Sequence, residues 1–120
     1  MNWKAIRLEL GRTREFPNGS ASRAYLLRVP LDAEGVIDEN AIRELPEQAT
    51  VLRLWPSEPD LNGHLARAGN KWAFVSRRNG TEGAVFTEMD PLPISEGAML
   101  LLRDKGQELP FRVARLRPLN

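Results

Sequence analysis

The chain has 120 residues, 42% of them apolar and 28% charged, which fits one β-rich domain over residues 1–120 that folds without metal or disulfide help. A net charge of +1 gives no bulk attraction to nucleic acid or anionic membrane. The absence of cysteine excludes disulfides, thiolate chemistry and sulfur-ligated metal.

No stretch approaches the run of about 18 apolar residues that a spanning helix needs, and MNWKAIRLEL lacks the apolar segment of a signal peptide. A cytoplasmic location is the resulting expectation. Of the 17 basic residues only Lys4, Lys71 and Lys105 are lysine, leaving 14 arginines. Codon usage is the plain account of that bias. The functional account is planar guanidinium recognition of phosphate, carboxylate or aromatic faces.

In chain order, Asn18-Gly19 is a strong hairpin signal, because a type I′ turn needs positive φ at both central residues. A two-residue loop there pairs Leu10 with Leu27, Leu8 with Val29 and Ile6 with Leu31, and sets Glu9 against Arg28. The same register places Arg12 opposite Tyr25 and Arg14 opposite Arg23. Like charges across a ladder repel, so that end is expected to splay or to hold an anion.

Leu31 to Asp38 reads as an acidic loop. Ile37, Ala41, Ile42 and Leu45 then recur at helical spacing, with Asp38 as N-cap, Glu39 in the first turn and Pro46 as the stop. Val51 to Trp55 reads as a strand, followed by a turn-rich stretch at residues 56–60. A Gly69-Asn70 turn pairs Leu65 with Phe74 and sets Arg67 against Trp72, a cation–π candidate. Lys71–Ser76 and Gly83–Met89 form the next pair, joined by the polar segment 77–82. A turn at Lys105-Gly106 pairs Leu102 with Leu109, Leu100 with Phe111, Ala98 with Val113 and Arg103 with Glu108. The apolar phase slips between Val113 and Leu116, which predicts a bulge. Pro110, having no N–H, must turn that side to solvent or a bulge.

Short connections favour antiparallel neighbours. The predicted fold is mainly β: a small antiparallel, partly open β-barrel of about seven strands with one short α-helix packed across an end.

The segments WKAIRLEL, EFPNGSASRAYLLRVPLD, WPSEPD, KWAF and LPFRVARLRP resemble a family of small uncharacterised bacterial proteins, and the resemblance runs over most of the chain. It implies a bacterial, cytoplasmic protein. It implies no activity and transfers no functional residues.

The chemistry-bearing residues are few. His64, the only histidine, has no marked nucleophile for a Ser-His-Asp arrangement and reads as a strand-edge residue beside Gly63. Asp32, Glu34, Asp38 and Glu39 around Gly35 faintly resemble a calcium loop, but the terminal bidentate position is Arg43. No phosphate-binding glycine motif occurs, and no metal or cofactor is implied. Two clusters stand out. Arg12, Arg14 and Arg23, with Tyr25 alongside, are the candidate site for an anionic ligand or partner. Arg77 and Arg78, with Trp72, Phe74 and Phe86 nearby, form the alternative, a platform for single-stranded RNA or DNA. The expected function is therefore a non-enzymatic binding module for an anionic small molecule or protein partner. A nucleic-acid-binding barrel is second, and a hydrolase-like enzyme using carboxylates is third.

Overall fold

The computed structural model describes residues 2–78 and 81–119, apart from the side chains of Arg78, Thr81 and Glu82. Eight strands run in sequence order: β1 (Trp3–Leu10), β2 (Ser20–Pro30), β3 (Thr50–Leu54), β4 (Leu61–Ala68), β5 (Lys71–Arg78), β6 (Thr81–Met89), β7 (Met99–Asp104) and β8 (Gln107–Pro118). Each pairs antiparallel with the next and β8 returns to β1, so the barrel is closed rather than partly open. No local residue pattern announces that last pairing. It follows from a mainly apolar inner face that only closure removes from water.

The first hairpin is displaced by four residues from the expected register. Leu8 faces Tyr25 and Ile6 faces Leu27, and the ladder bulges where Leu10 meets Ser20. The reversal starts earlier than Asn18-Gly19: the Gly19 N–H donates to the Phe16 carbonyl at 2.9 Å, which puts Pro17 at the turn position its fixed φ suits. Gly19 closes the turn at φ +75, where an added Cβ would also strike the Leu10 carbonyl oxygen at 2.7 Å. Energetics explains the choice. Full zippering would have carried Arg12 and Arg14 onto the same inward face as Tyr25, and buried unpaired cations are costly. An even displacement keeps every apolar residue on its original face, so Ile6, Leu8, Leu27 and Val29 stay buried.

The other hairpins match their sequence reading. Leu65 faces Phe74, and Arg67 faces Trp72 with its guanidinium 5.1 Å from an indole ring. Leu102 faces Leu109, Leu100 faces Phe111 and Arg103 faces Glu108. Lys105 and Gly106 both have positive φ, at 53 and 77, as a type I′ turn demands. The β8 bulge falls after Val113, which faces Leu8 while Arg115 faces Arg7. The Pro110 carbonyl accepts from Gly11 N–H just past the end of β1, so its donorless nitrogen faces that same edge. Strand pairing also runs through Arg77–Glu82 and Arg78–Thr81, further than expected, while Asn79 and Gly80 lie outside the described residues.

One barrel end is plugged. Helix α1 (Glu39–Glu44), capped by the Asp38 carboxylate accepting from Ala41 N–H, packs Ile42 inward, and Pro46 opens a short 3-10 turn. Ile94 from the β6–β7 connection completes the plug, its N–H donating to the Gly35 carbonyl. Because connections alternate between ends, the loops at 11–19, 55–60 and 105–106 all sit at the opposite end. No helix among the described residues is long and apolar enough to cross a membrane.

Candidate functional site

The inward positions of β3 and β7 break their own apolar pattern near the open end. Val51 is followed two residues on by Arg53, and Leu100 and Leu102 by Asp104. Arg53 is only 2% exposed, and its Nη2 donates to the Asp104 carboxylate at 2.8 Å across the lumen. Its Nη1 reaches Glu58 in the β3–β4 loop at 3.1 Å, and the guanidinium lies 4.0 Å from a Trp55 ring. Among the described residues the buried Nε of Arg53 has no hydrogen-bond partner. Burial opposes its charge most strongly, but the Asp104 and Glu58 hydrogen bonds outweigh burial and hold its pKa above the ordinary value. In return, the Arg53 hydrogen bond keeps Glu58 below the usual carboxylate range. That interaction stabilises the fold above the ordinary carboxylate pKa and is lost on acidification.

A second polar link lies beside the first. The Tyr25 hydroxyl and Thr87 Oγ1 are 2.8 Å apart, joining β2 to β6 inside the barrel. The Tyr25 ring is packed edge-on by Phe74 at 5.5 Å and Phe111 at 5.0 Å. Burial, partly offset by the Thr87 hydrogen bond, pushes the Tyr25 hydroxyl up to about 12. Because Tyr25 is the only tyrosine, phenolate absorbance titrates it alone. The expected midpoint is near 12 in the folded chain and about 10 when unfolded. Since the folded state holds the proton more tightly, stability is unaffected below the unfolded value and falls as pH rises through the interval. A folded midpoint at the unfolded value would place this hydroxyl in water.

Above these links opens a cleft of about 580 Å³, lined by Leu10, Thr13, Arg14, Glu15, Phe16, Arg23, Arg53, Trp55, Glu58, Asp104, Lys105, Gln107 and Leu109. Its rim is the β1–β2 loop, held by reciprocal Thr13 and Phe16 hydrogen bonds: Thr13 N–H to the Phe16 carbonyl, and Phe16 N–H to Thr13 Oγ1. The Arg23 guanidinium carbon lies over Phe16, 4.1 Å from the ring centroid and 6.0 Å from a Trp55 ring, with Nη1 donating to Ser20 Oγ at 3.1 Å. Among the described residues neither Arg14 nor Arg23 forms an ion pair.

The sequence-predicted cluster is thus split. Arg14 and Arg23 share the cleft, though not as facing residues of a ladder. Arg12 lines a separate hollow with Asn18, Met99 and Arg112. Tyr25 is fully buried beneath the cleft and is not alongside the arginines on an open face. The alternative cluster does not form a stacking platform as read, because Trp72 is only 2% exposed and Phe74 is fully buried. Arg77 is exposed, and the Arg78 side chain lies outside the described residues. His64 is not at a strand edge: it sits within β4, facing Thr50 on one side and Val75 on the other. Asp32 accepts from the backbone N–H groups of Glu34 and Val36, which accounts for its place in the acidic loop.

Arg53, Asp104 and Glu58 went unrecognised in the sequence reading of the site, whereas Trp55 reads there as a core or rim aromatic. A usable signal existed for the first two, namely a charged residue at an inward position of an otherwise apolar alternation. Comparison with known protein families, curated proteins and solved structures returns no match.

Proposed function

We propose that this is a non-enzymatic binding protein of the bacterial cytoplasm that takes a small anionic ligand, best a carboxylate on a flat apolar body, into the open end of the barrel. The observation that carries the reading is Arg23. It is stacked on Phe16, fixed by Ser20, free of any described ion pair, and directed at a cleft whose floor is the buried Arg53 guanidinium. Guanidinium forks bind carboxylates through paired charge-assisted hydrogen bonds, and Trp55 offers a flat wall for the ligand body. Of the cleft's three carboxylates, Glu58 and Asp104 are engaged by Arg53 and only Glu15 at the rim is not, which supports binding over acid–base chemistry by a carboxylate pair.

Trp55 emission provides the readout, with W55F as the blank. Benzoate is expected to give a saturable change that benzamide gives at least tenfold more weakly, one order of magnitude being about 1.4 kcal/mol. R14Q together with R23Q is expected to abolish the change and to lower stability by no more than about 1 kcal/mol, through the lost Arg23 contacts with Phe16 and Ser20. A flat response to benzoate and inorganic phosphate at millimolar concentration would refute the reading.

A further inference from the structure

The outer wall formed by β2, β1 and β8 concentrates positive charge that net charge conceals. Ala5 on β1 faces Arg28 on one side and Arg117 on the other, Arg7 faces Arg115, and Glu9 faces Arg112. Facing residues of antiparallel strands project to the same side, so these guanidinium groups share one surface. Arg28, Arg112, Arg115 and Arg117 are exposed, and Arg7 is about one-third exposed at 32%. Glu9 is the one acid facing these arginines across the ladders, 2.7 Å from Arg7 and 3.5 Å from Arg112, and Glu96 reaches β8 from the β6–β7 connection, accepting from Leu116 N–H at 3.1 Å. Arg28, Arg115 and Arg117 form no ion pair among the described residues. Arg7 directly opposite Arg115 is a like-charge pair that weakens the ladder, and a hollow of about 410 Å³ opens between Arg7, Arg112 and Arg115.

We propose that this wall binds the sugar–phosphate backbone of a nucleic acid duplex without reading its sequence. The cations are all arginine, whose fork matches phosphate oxygens, and Arg115 and Arg117 stand about 7 Å apart along β8, a repeat suited to a line of phosphates. No aromatic side chain shares the surface, which disfavours stacked single-stranded bases. Half-buried Leu26 faces Arg7 and exposed Met99 of β7 faces Arg112, but the centre holds Arg7 and Arg115 and so is not the apolar, charge-depleted centre typical of a protein interface. The wall lies outside the barrel and is independent of the ligand cleft.

Fluorescence anisotropy with a short labelled duplex of mixed sequence tests this, with DNA and RNA duplexes in separate arms and polyglutamate as the acidic-polypeptide competitor. Binding is expected to weaken with salt, with a slope of log K against log salt of roughly −3 to −4 for three or four phosphates engaged. R115Q and R117Q are each expected to reduce that slope by about 0.9, leave the melting midpoint unchanged or raised, and act alike on unrelated sequences. R23Q at the cleft should leave duplex binding unchanged. Absence of binding at low salt, an unaltered slope in the R115Q/R117Q variant, or displacement by polyglutamate at equal charge would overturn the proposal.

Discussion

Replacing Asp104 with leucine is expected to destabilise the fold by about 3 kcal/mol, read as a lower urea midpoint at unchanged slope. The effect lies in what is left behind. Arg53 is 2% exposed and would lose the partner it holds at 2.8 Å, while its Nε already has no acceptor among the described residues. Breaking a buried ion pair by deleting one member typically costs about 3–5 kcal/mol, and the lower end applies because Glu58 still reaches Nη1. The R53M/D104L double variant is expected to recover most of that loss, since apolar replacement of both partners removes the stranded charge. If D104L alone cost less than about 1 kcal/mol, the guanidinium would have to be hydrated through the cleft in the manner of an exposed pair.

The second large effect is expected at Gly63, where alanine should cost at least about 3 kcal/mol, the upper range for overfilled cores. A Cβ there would lie 2.1 Å from the Val75 carbonyl oxygen, 2.8 Å from its carbon and 3.1 Å from Phe86 Cε1. Two of those atoms are backbone, so relief requires β4 to move away from β5 along a ladder that includes the buried Leu65–Phe74 pair. Gly69 supplies the comparison. It has φ +62 but open space around it, so Gly69→Ala should cost only the left-handed strain, about 1–2 kcal/mol. Equal losses at the two sites in chemical denaturation would show that β4 and β5 are not in close contact at Gly63.

The legible parts of this fold were those where two local signals agreed. At Gly69-Asn70 and Lys105-Gly106, glycine-bearing turns coincided with apolar alternation on both arms, and both registers followed. At Asn18-Gly19 the turn signal was genuine but shared with Pro17, and the proline decided where the chain reversed. The apolar pattern gave no protection there, because registers four residues apart bury the same side chains. The candidate site was half legible for a related reason. Arg14 and Arg23 converge because the loop folds back over the open end, a placement no strand arithmetic supplies. Arg53 and Asp104 were visible as breaks in alternation, but their meeting depends on β3 and β7 lying across the lumen, 51 residues apart in the chain. The arginine wall needed the β1–β8 seam to exist at all.

That seam governs the order in which the molecule can be completed. A nascent polypeptide that has emerged as far as Asp104 lacks all of β8, the 12-residue strand that both β1 and β7 require. Two unpaired edges would then stand open on the ribosome, each a template for pairing with another chain. Zippering of the final strand therefore ends the period of greatest aggregation risk, and fragments cut before Gln107 should precipitate where the intact polypeptide does not.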